Sequence, residues 1–202
     1  ILLRMNTISN TRERLLRVAA DLFYARSYGD VGVAEICDAA QVRKGSFYHF
    51  FKSKQELMVE VLDATFVEMK HQLLDKAFSP DKPPMRRIRD FANTLIAFQV
   101  HVAKQTGTVR GCPFGNMAAE QAGQDETLRK KVRDLFTRMT REFQTALEEA
   151  VVAGEIEALD TAATAKAMLA YAEGVMLLAK TRNDAAILRE LLPALDAIRI
   201  EN

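Results

Sequence analysis

Cysteine and histidine are scarce in this chain of 202 residues, which contains two of the first and three of the second. Cys37 and Cys112 do not make a disulfide framework, and no Cys/His cluster has the spacing of a zinc site. No motif joins His49, His71 and His101, and we find no phosphate loop and no pairing of a nucleophile with a base. The sequence therefore predicts no metal, no cofactor and no enzymatic activity.

Long apolar runs are also absent, since none approaches the ~20 residues that a helix needs to span a bilayer. Ile1-Leu2-Leu3 is too short for the core of a signal peptide. Met5 is a candidate natural start, which would leave Ile1–Arg4 as an upstream extension. We therefore expect a cytoplasmic protein with no membrane segment.

Only five prolines occur, and three of them cluster between residues 80 and 84. No stretch shows sustained strand alternation, so the sequence predicts an all-α chain of about nine helices. Pro193 lies inside the last helical pattern and should kink or split that helix. The predicted helices cover approximately residues 11–26, 33–40, 44–51, 53–78, 85–105, 113–122, 125–153, 161–182 and 184–200.

The charge is nearly balanced overall, with a formal net value of +1. Residues 1–60 nevertheless carry nine Lys and Arg against seven Asp and Glu, so the positive charge is local. We expect a small three-helix head over residues 10–70, followed by a larger helical-bundle body over residues 80–202.

The segment 33–54, VAEICDAAQVRKGSFYHFFKSK, indicates what the head does. It predicts two short helices around a tight turn, followed by a run with four cations and no anion: Arg43, Lys44, Lys52 and Lys54. Such a unit can place its second helix in the DNA major groove and its cations on the flanking phosphates. The alternative is that these are only solvated positions of a three-helix bundle.

The helical period divides the second helix of this unit into two sides. One side holds aromatic residues expected in the core: Phe47, Phe50 and Phe51. The other side carries groups suited to DNA, with Arg43 and Lys44 best placed for base edges and His49 able to contact a phosphate or a base. Several residues of this side are expected to contact phosphates: Gly45, which has no side chain to keep a phosphate at a distance, Ser46 and Tyr48 through their hydroxyls, and Lys44 and Lys54 through their charge.

The stretch TRERLLRVAADLFYARSYGDVGVAEICDAAQVRKGSFYHFFKSKQELM resembles the DNA-binding head of the TetR family of bacterial transcriptional regulators, closely over residues 10–65 and loosely over the whole chain. By that resemblance, residues 33–52 form the helix-turn-helix recognition unit. The resemblance implies DNA-contact roles for Lys44, Gly45, Ser46, Tyr48, His49 and Lys54, and it places Val33 near a phosphate. It further implies a body that binds a small molecule and forms a homodimer.

Three positions depart from the family pattern. Gly32 stands where Ser or Thr is usual, so a hydroxyl cap and an expected phosphate contact are missing. Gln41 replaces a usual Gly in the turn, which would cost ~1–2 kcal/mol if that residue is left-handed. Arg43 replaces a common Ser, and its cation opposes the helix dipole. We therefore expect operator preference to differ from that of relatives.

The last two helices are rich in Ala and Leu, which suits a two-fold four-helix dimer interface, although they could equally be intramolecular core. Operator half-sites about 34–36 Å apart require a dimer and favour the first interpretation.

Cys112 precedes Pro113, a good first helical residue, and Arg110 is close in sequence. Both the helix end and the arginine favour the thiolate, so Cys112 is a candidate sensor of electrophiles or oxidants. Repressors of the N-ethylmaleimide-reductase type look similar around this Gly-Cys pair. The alternative is a small packing residue. Cys37, on the apolar stripe of its helix, is expected to be structural.

Candidate lining residues for a ligand pocket combine apolar walls with a few polar groups, although each could instead be core. They are Phe98, His101, Val102, Cys112, Asn116, Met117, Glu120, Phe136, Met139, Phe143 and Tyr171.

The sequence thus predicts a repressor that responds to a ligand or an electrophile and releases double-stranded operator DNA when its C-terminal domain binds an inducer. A non-specific architectural DNA-binding protein and an all-helical enzyme are the alternatives.

Overall fold

A computed structural model describes residues 10–201, and all regular structure in this range is helical. If the three consecutive pieces between residues 54 and 77 are counted as one helix, and the consecutive pieces between residues 186 and 197 as another, the described residues form nine helices, which confirms the predicted class. The elements are α1 (Thr11–Ala25), α2 (Val33–Ala39), α3 (Lys44–Phe50), α4 (Lys54–Met69), a π-helical turn (Lys70–Leu74), α5 (Asp75–Ala77), α6 (Pro84–Thr106), α7 (Pro113–Gln121), α8 (Glu126–Val152), α9 (Thr161–Arg182), α10 (Ala186–Leu191) and a 3-10 helix (Leu192–Ala197). Ile1–Arg4 and Met5 lie outside the described residues.

Side-chain caps fix several helix starts where the sequence predicts them. The Asn10 side chain accepts a hydrogen bond from Glu13 N at 2.9 Å, and that of Asp160 accepts one from Ala163 N at 2.8 Å. Ser53 Oγ accepts from Glu56 N at 3.0 Å, while the Glu56 carboxylate accepts from Lys52 N at 2.7 Å. These caps satisfy first-turn amides that have no partner within the helix.

Two helices differ from their predicted extent. The stretch expected to be one helix over 53–78 contains the π-helical turn Lys70–Leu74, which no pattern in the sequence predicts. The helix expected to run to about residue 200 changes to 3-10 geometry at Leu192, next to Pro193, and ends at Ala197. Proline has no N–H to continue the α-helical ladder, so the predicted split is confirmed.

The chain folds as two compact units that do not follow each other in sequence. Of the described residues, those from 10 to 69 together with Pro113–Asp134 form the first, and Lys70–Cys112 together with residues 135–201 form the second. The sequence predicts two consecutive domains instead, at 10–70 and 80–202. The difference is that α7 and the start of α8 belong with the head.

The core of the second unit contains an aromatic cluster in which Phe143 meets Phe78 and Phe91 edge to face, with ring centroids 5.2 and 4.8 Å away. Arg87, one turn before Phe91 on α6, is also buried, and its Nη1 donates to Glu149 Oε2 at 2.6 Å. Burial of a guanidinium requires such a partner.

Helix α9 is long and apolar enough to span a bilayer by length and composition alone. Core helices of globular proteins meet the same criterion, and Thr164, Met168 and Ala172 of α9 are buried within the structure.

Candidate nucleic-acid interface

The turn between α2 and α3 is built on a left-handed residue. Gln41 has φ 53°, a conformation that costs a side-chain-bearing residue ~1–2 kcal/mol. The next residue closes the turn, since Val42 N donates to Cys37 O at 2.8 Å. Gln41 is therefore left-handed, and its presence in place of the usual glycine carries a conformational cost.

Helix α3 presents one polar side and one buried side. Phe47 and Phe51 are completely buried, whereas Tyr48 is 56% exposed. The other exposed residues of α3 and its N-cap are Arg43, Lys44, Gly45 and His49, and Ser46 is half-buried. The expected core position of Phe50 is wrong, because Phe50 is only half-buried. Its ring meets the His49 ring edge to face, with centroids 4.9 Å apart.

Neither recognition-unit helix has a side-chain cap. Gly32 and Arg43 occupy the N-cap positions of α2 and α3, and neither side chain caps the helix. The first-turn amides of both helices therefore point out of the helix end and donate no hydrogen bond to an N-cap side chain. Helix N-termini of this kind suit the phosphate groups of a DNA backbone. Val33, the first residue of α2, lies at one of these ends.

Lys54 has a structural role that the sequence does not reveal. Its Nζ donates to Tyr28 O at 2.9 Å and to Val31 O at 3.2 Å, and it lies 4.2 Å from the centroid of the Tyr28 ring. The expected phosphate contact by Lys54 stays a prediction, and its ammonium is engaged with the loop between α1 and α2.

Glu120 of α7 also binds this loop. Its Oε2 accepts from Tyr28 N at 3.0 Å and its Oε1 accepts from Gly29 N at 2.6 Å. Burial raises the pKa of the Tyr28 hydroxyl, and the nearby carboxylates of Asp125 and Glu120 raise it further. The prediction that Glu120 lines a ligand pocket stays untested, and both of its carboxylate oxygens accept hydrogen bonds from the head.

The other candidate pocket residues fall into separate groups. Val102 and Phe143 are fully buried core residues, His101 is exposed, and the Tyr171 hydroxyl donates to Leu191 O at 2.8 Å. Contacts between these four residues and a ligand stay predictions. Buried Met117 and Met139 and half-buried Phe98 and Asn116 remain untested predictions.

Phe136 does line a cavity in the second unit, of about 240 Å³. The remaining walls come from both α8 and α9: Thr140, Lys166, Leu169, Ala170 and Glu173. Desolvation raises the pKa of the Glu173 carboxyl, although a hydrogen bond from Cys112 lowers it in part. The sequence does not single out Glu173, because a lone acid on a helix looks like any solvated charge.

The two thiols have different surroundings, although both are buried and neither forms a disulfide. Burial raises the pKa of the Cys37 thiol, Asp38 raises it further and Lys44 opposes them, which suits the expected structural role. Cys112 lies directly before α7 and donates to Glu173. Among residues 10–201, no group of three or more Cys, His, Asp and Glu side chains could hold a metal ion.

Both the N-terminal and the C-terminal part of the chain match models of known protein families. Residues 84–195 match the model described as "Tetracyclin repressor-like, C-terminal domain", and residues 15–61 match "Bacterial regulatory proteins, tetR family". The first match alone covers more than half of the chain.

Individual relatives agree with these matches. Transcriptional regulator AcuR of Cereibacter sphaeroides is 32% identical over 177 residues, which cover 85% of this chain and 77% of AcuR. Repressor NemR of Escherichia coli is 31% identical over 125 residues, 61% of this chain and 60% of NemR. The crystal structure of a regulatory protein TetR from Rhodobacter sphaeroides superposes with a TM-score of 0.82 at 28% identity, covering 95% of this chain and all (100%) of that one. The chain is therefore a member of the TetR family of bacterial transcriptional regulators.

Proposed function

We propose that a dimer of this chain represses transcription in the cytoplasm by placing α3 of each protomer in the major groove of an operator half-site. The observation that carries this proposal is the arrangement of α3, where exposed Lys44, Tyr48 and His49 lie over a fully buried Phe47. A rigid helix with a polar outer side has the form of a recognition helix. NemR and AcuR are named as a repressor and a regulator of transcription, which supports the same function.

The test is selection of a binding sequence from random duplexes, followed by affinity measurements over a range of salt concentrations. A regulator should prefer its selected site over random duplex by ~10³-fold or more at physiological salt. Equal affinity for every duplex would indicate an architectural protein instead. Turnover of a substrate without duplex binding would indicate an enzyme.

Variants of the same helix assign individual roles. Lys44→Ala should weaken binding to all sequences and reduce the salt slope by about one, as expected for a phosphate contact. Arg43→Ala should change the selected sequence, because its exposed guanidinium is able to pair with guanine. A uniform loss of affinity with Arg43→Ala would make it a phosphate contact and not a base reader.

The dimer interface is proposed on α9 and α10. Leu177 and Leu178 of α9 are 60% and 48% exposed, and exposed Gly174 precedes them by about one turn. No atom lies within 4 Å of a Cβ built on Gly174, so a helix of a second copy can approach closely there. Leu177→Glu should convert the dimer to monomer in light scattering and abolish operator binding. An unchanged mass would place the interface elsewhere.

The effector site is proposed at the cavity of Phe136 and Glu173, with Cys112 adjacent through its hydrogen bond to Glu173. An electrophile that alkylates Cys112 would remove this hydrogen bond. The test is operator release by N-ethylmaleimide in the wild type and in Cys112→Ser. Release confined to the wild type supports sensing by Cys112, and equal release in both proteins rules it out.

A further inference from the structure

The loop between α1 and α2 is held from both sides by opposite charges. Lys54 donates to its carbonyl oxygens, those of Tyr28 and Val31, while Glu120 accepts from its amides, those of Tyr28 and Gly29. Lys54 comes from the start of α4, whereas Glu120 is 91 residues from Gly29 in sequence. The loop ends at Gly32, the N-cap of α2. Its conformation therefore sets where the recognition unit begins.

The carboxylate of Glu120 lies in a position that its own helix disfavours. It is the penultimate residue of α7, where the negative end of the helix dipole repels an anion. Hydrogen bonds from two successive amides compensate for this, because charge-assisted bonds are stronger than neutral ones. A carboxylate that was only hydrated would gain no stability from a position at the C-terminal end of a helix.

Gly29 fits the same contact from the other side. A Cβ built on Gly29 would lie 2.9 Å from Glu120 Oε1, closer than real Cβ atoms approach another atom. Gly29 is not among the residues with positive φ, so its backbone does not itself require glycine. The absence of a side chain at residue 29 is explained by the approach of the carboxylate.

Further contacts tie the same distant segment to α4 within the first unit. Gln55 Nε2 donates to Asp125 Oδ2 at 2.6 Å, and Lys131 Nζ lies 2.5 Å from Asp63 Oδ1. Hydrogen bonds from the Leu128 amide, the Gln55 side chain and the Thr127 amide hold the pKa of the Asp125 carboxyl below its usual value, although desolvation opposes them. These contacts hold Asp125 and the start of α8, which directly follow α7 in the chain, against α4.

We propose that Glu120 is a positioning residue for DNA binding, which fixes the α1–α2 loop and through it the start of the recognition unit. It contacts no DNA itself. This inference rests on the proposed function, since it concerns how the same surface is held in place.

The direction of the change in operator affinity distinguishes a positioning role from a simple charge effect. Glu120→Gln removes a negative charge, and that change alone should strengthen the binding of a polyanion. Loss of positioning should weaken it, because the amide NH₂ now faces one of the two loop amides. We expect about tenfold weaker operator binding, corresponding to one lost charge-assisted hydrogen bond, with the salt slope unchanged. Glu126→Gln, which removes a more exposed negative charge six residues later and outside these contacts, is the control and should not weaken binding.

Hydrogen exchange and a double-mutant cycle complete the experiment. In the free protein, the Tyr28 and Gly29 amides should exchange faster in Glu120→Gln than in the wild type, while amides of α1 remain protected. Gly29→Ala should lower operator affinity in the wild type but by less than twofold in the Glu120→Ala background, because its clash partner is then gone. Additive losses, or losses that only follow the free energy of unfolding, would overturn the positioning role.

The two failures are distinguishable. If the wild type selects no operator, the proposed function fails and this inference fails with it. If the wild type selects an operator and Glu120→Gln binds it equally well or more tightly, only the inference is overturned.

Discussion

Arg14 of α1 donates through its Nε to the main-chain oxygen of Ala40 at 2.8 Å, at the C-terminal end of α2. Carbonyl groups at a helix end lack partners within the helix, and a cation there also meets the negative end of the dipole. This bond therefore joins α1 to α2 immediately before the left-handed Gln41. It fixes the entry to the turn that precedes the recognition helix.

Replacement of Arg14 should loosen this entry. We expect Arg14→Ala to lower the free energy of unfolding by about 1–2 kcal/mol, because the carbonyl of Ala40 loses a charged donor. Urea denaturation measures the change. Arg17→Ala, one turn later on α1 and also half-buried, is the comparison and should have the smaller effect. Equal effects would show that Arg14 contributes only through its aliphatic stem.

Gln41→Gly should stabilise the protein, because φ 53° is unfavourable for residues with a Cβ. The left-handed penalty is ~1–2 kcal/mol, and the greater entropy of glycine in the unfolded chain offsets part of it. We expect a net gain of about 0.5 kcal/mol in thermal or urea unfolding. Gln41→Ala keeps the Cβ and should give no such gain. A gain from alanine equal to that from glycine would place the cost in the glutamine side chain.

Gly45→Ala should separate stability from DNA affinity. A Cβ at Gly45 meets no atom within 4 Å, and alanine is favoured over glycine in a helix by roughly 0.5–1 kcal/mol, so unfolding should become harder. The added methyl group lies on the DNA-facing side, so operator affinity should fall. Gly123→Ala, whose methyl also meets no atom within 4 Å, should leave operator affinity unchanged. Unaltered affinity in Gly45→Ala would exclude a close phosphate at this residue.

The Glu173 carboxyl should make stability depend on pH. Desolvation raises its pKa above the ordinary 4.5, so the folded protein holds this proton more tightly than the unfolded chain does. The resulting stabilisation is present below that ordinary value and is lost as the pH rises through the raised folded value. Glu173→Gln cannot ionise, and it should be more stable than the wild type at neutral pH, with the difference shrinking in acid. Urea unfolding at several pH values measures this, and a difference that is constant with pH would contradict it.

Local signals in the sequence predict the helix boundaries well. Ser53 with Glu56, Asp160 and Pro193 each act on their nearest neighbours in the chain, so their effects follow from short-range stereochemistry. The exposed and buried sides of α3 likewise follow from the helical period. Phe50 is the exception, because its half-burial depends on what the head leaves uncovered and not on its position in the period.

The contacts that tie distant segments could not be predicted in this way. Glu120 binds backbone amides, which every residue except proline possesses, so no complementary residue type marks its partners. Lys54 similarly binds carbonyl groups, and neither its charge nor its place in the family pattern indicates these partners. The cavity at Glu173 requires two helices to meet at a particular distance, which the pattern within either helix does not specify.

The first unit is assembled from pieces that leave the ribosome at different times. Phe66 is 1% exposed and faces Phe114, and the loop amides that Glu120 binds are satisfied only when α7 exists. Domains generally fold as units during synthesis. A nascent chain that has emerged only as far as Met69 therefore holds an unfinished head. The DNA-binding surface is completed only after the intervening residues 70–112 have been made. During translation, operator affinity therefore appears only after synthesis of the second unit has begun.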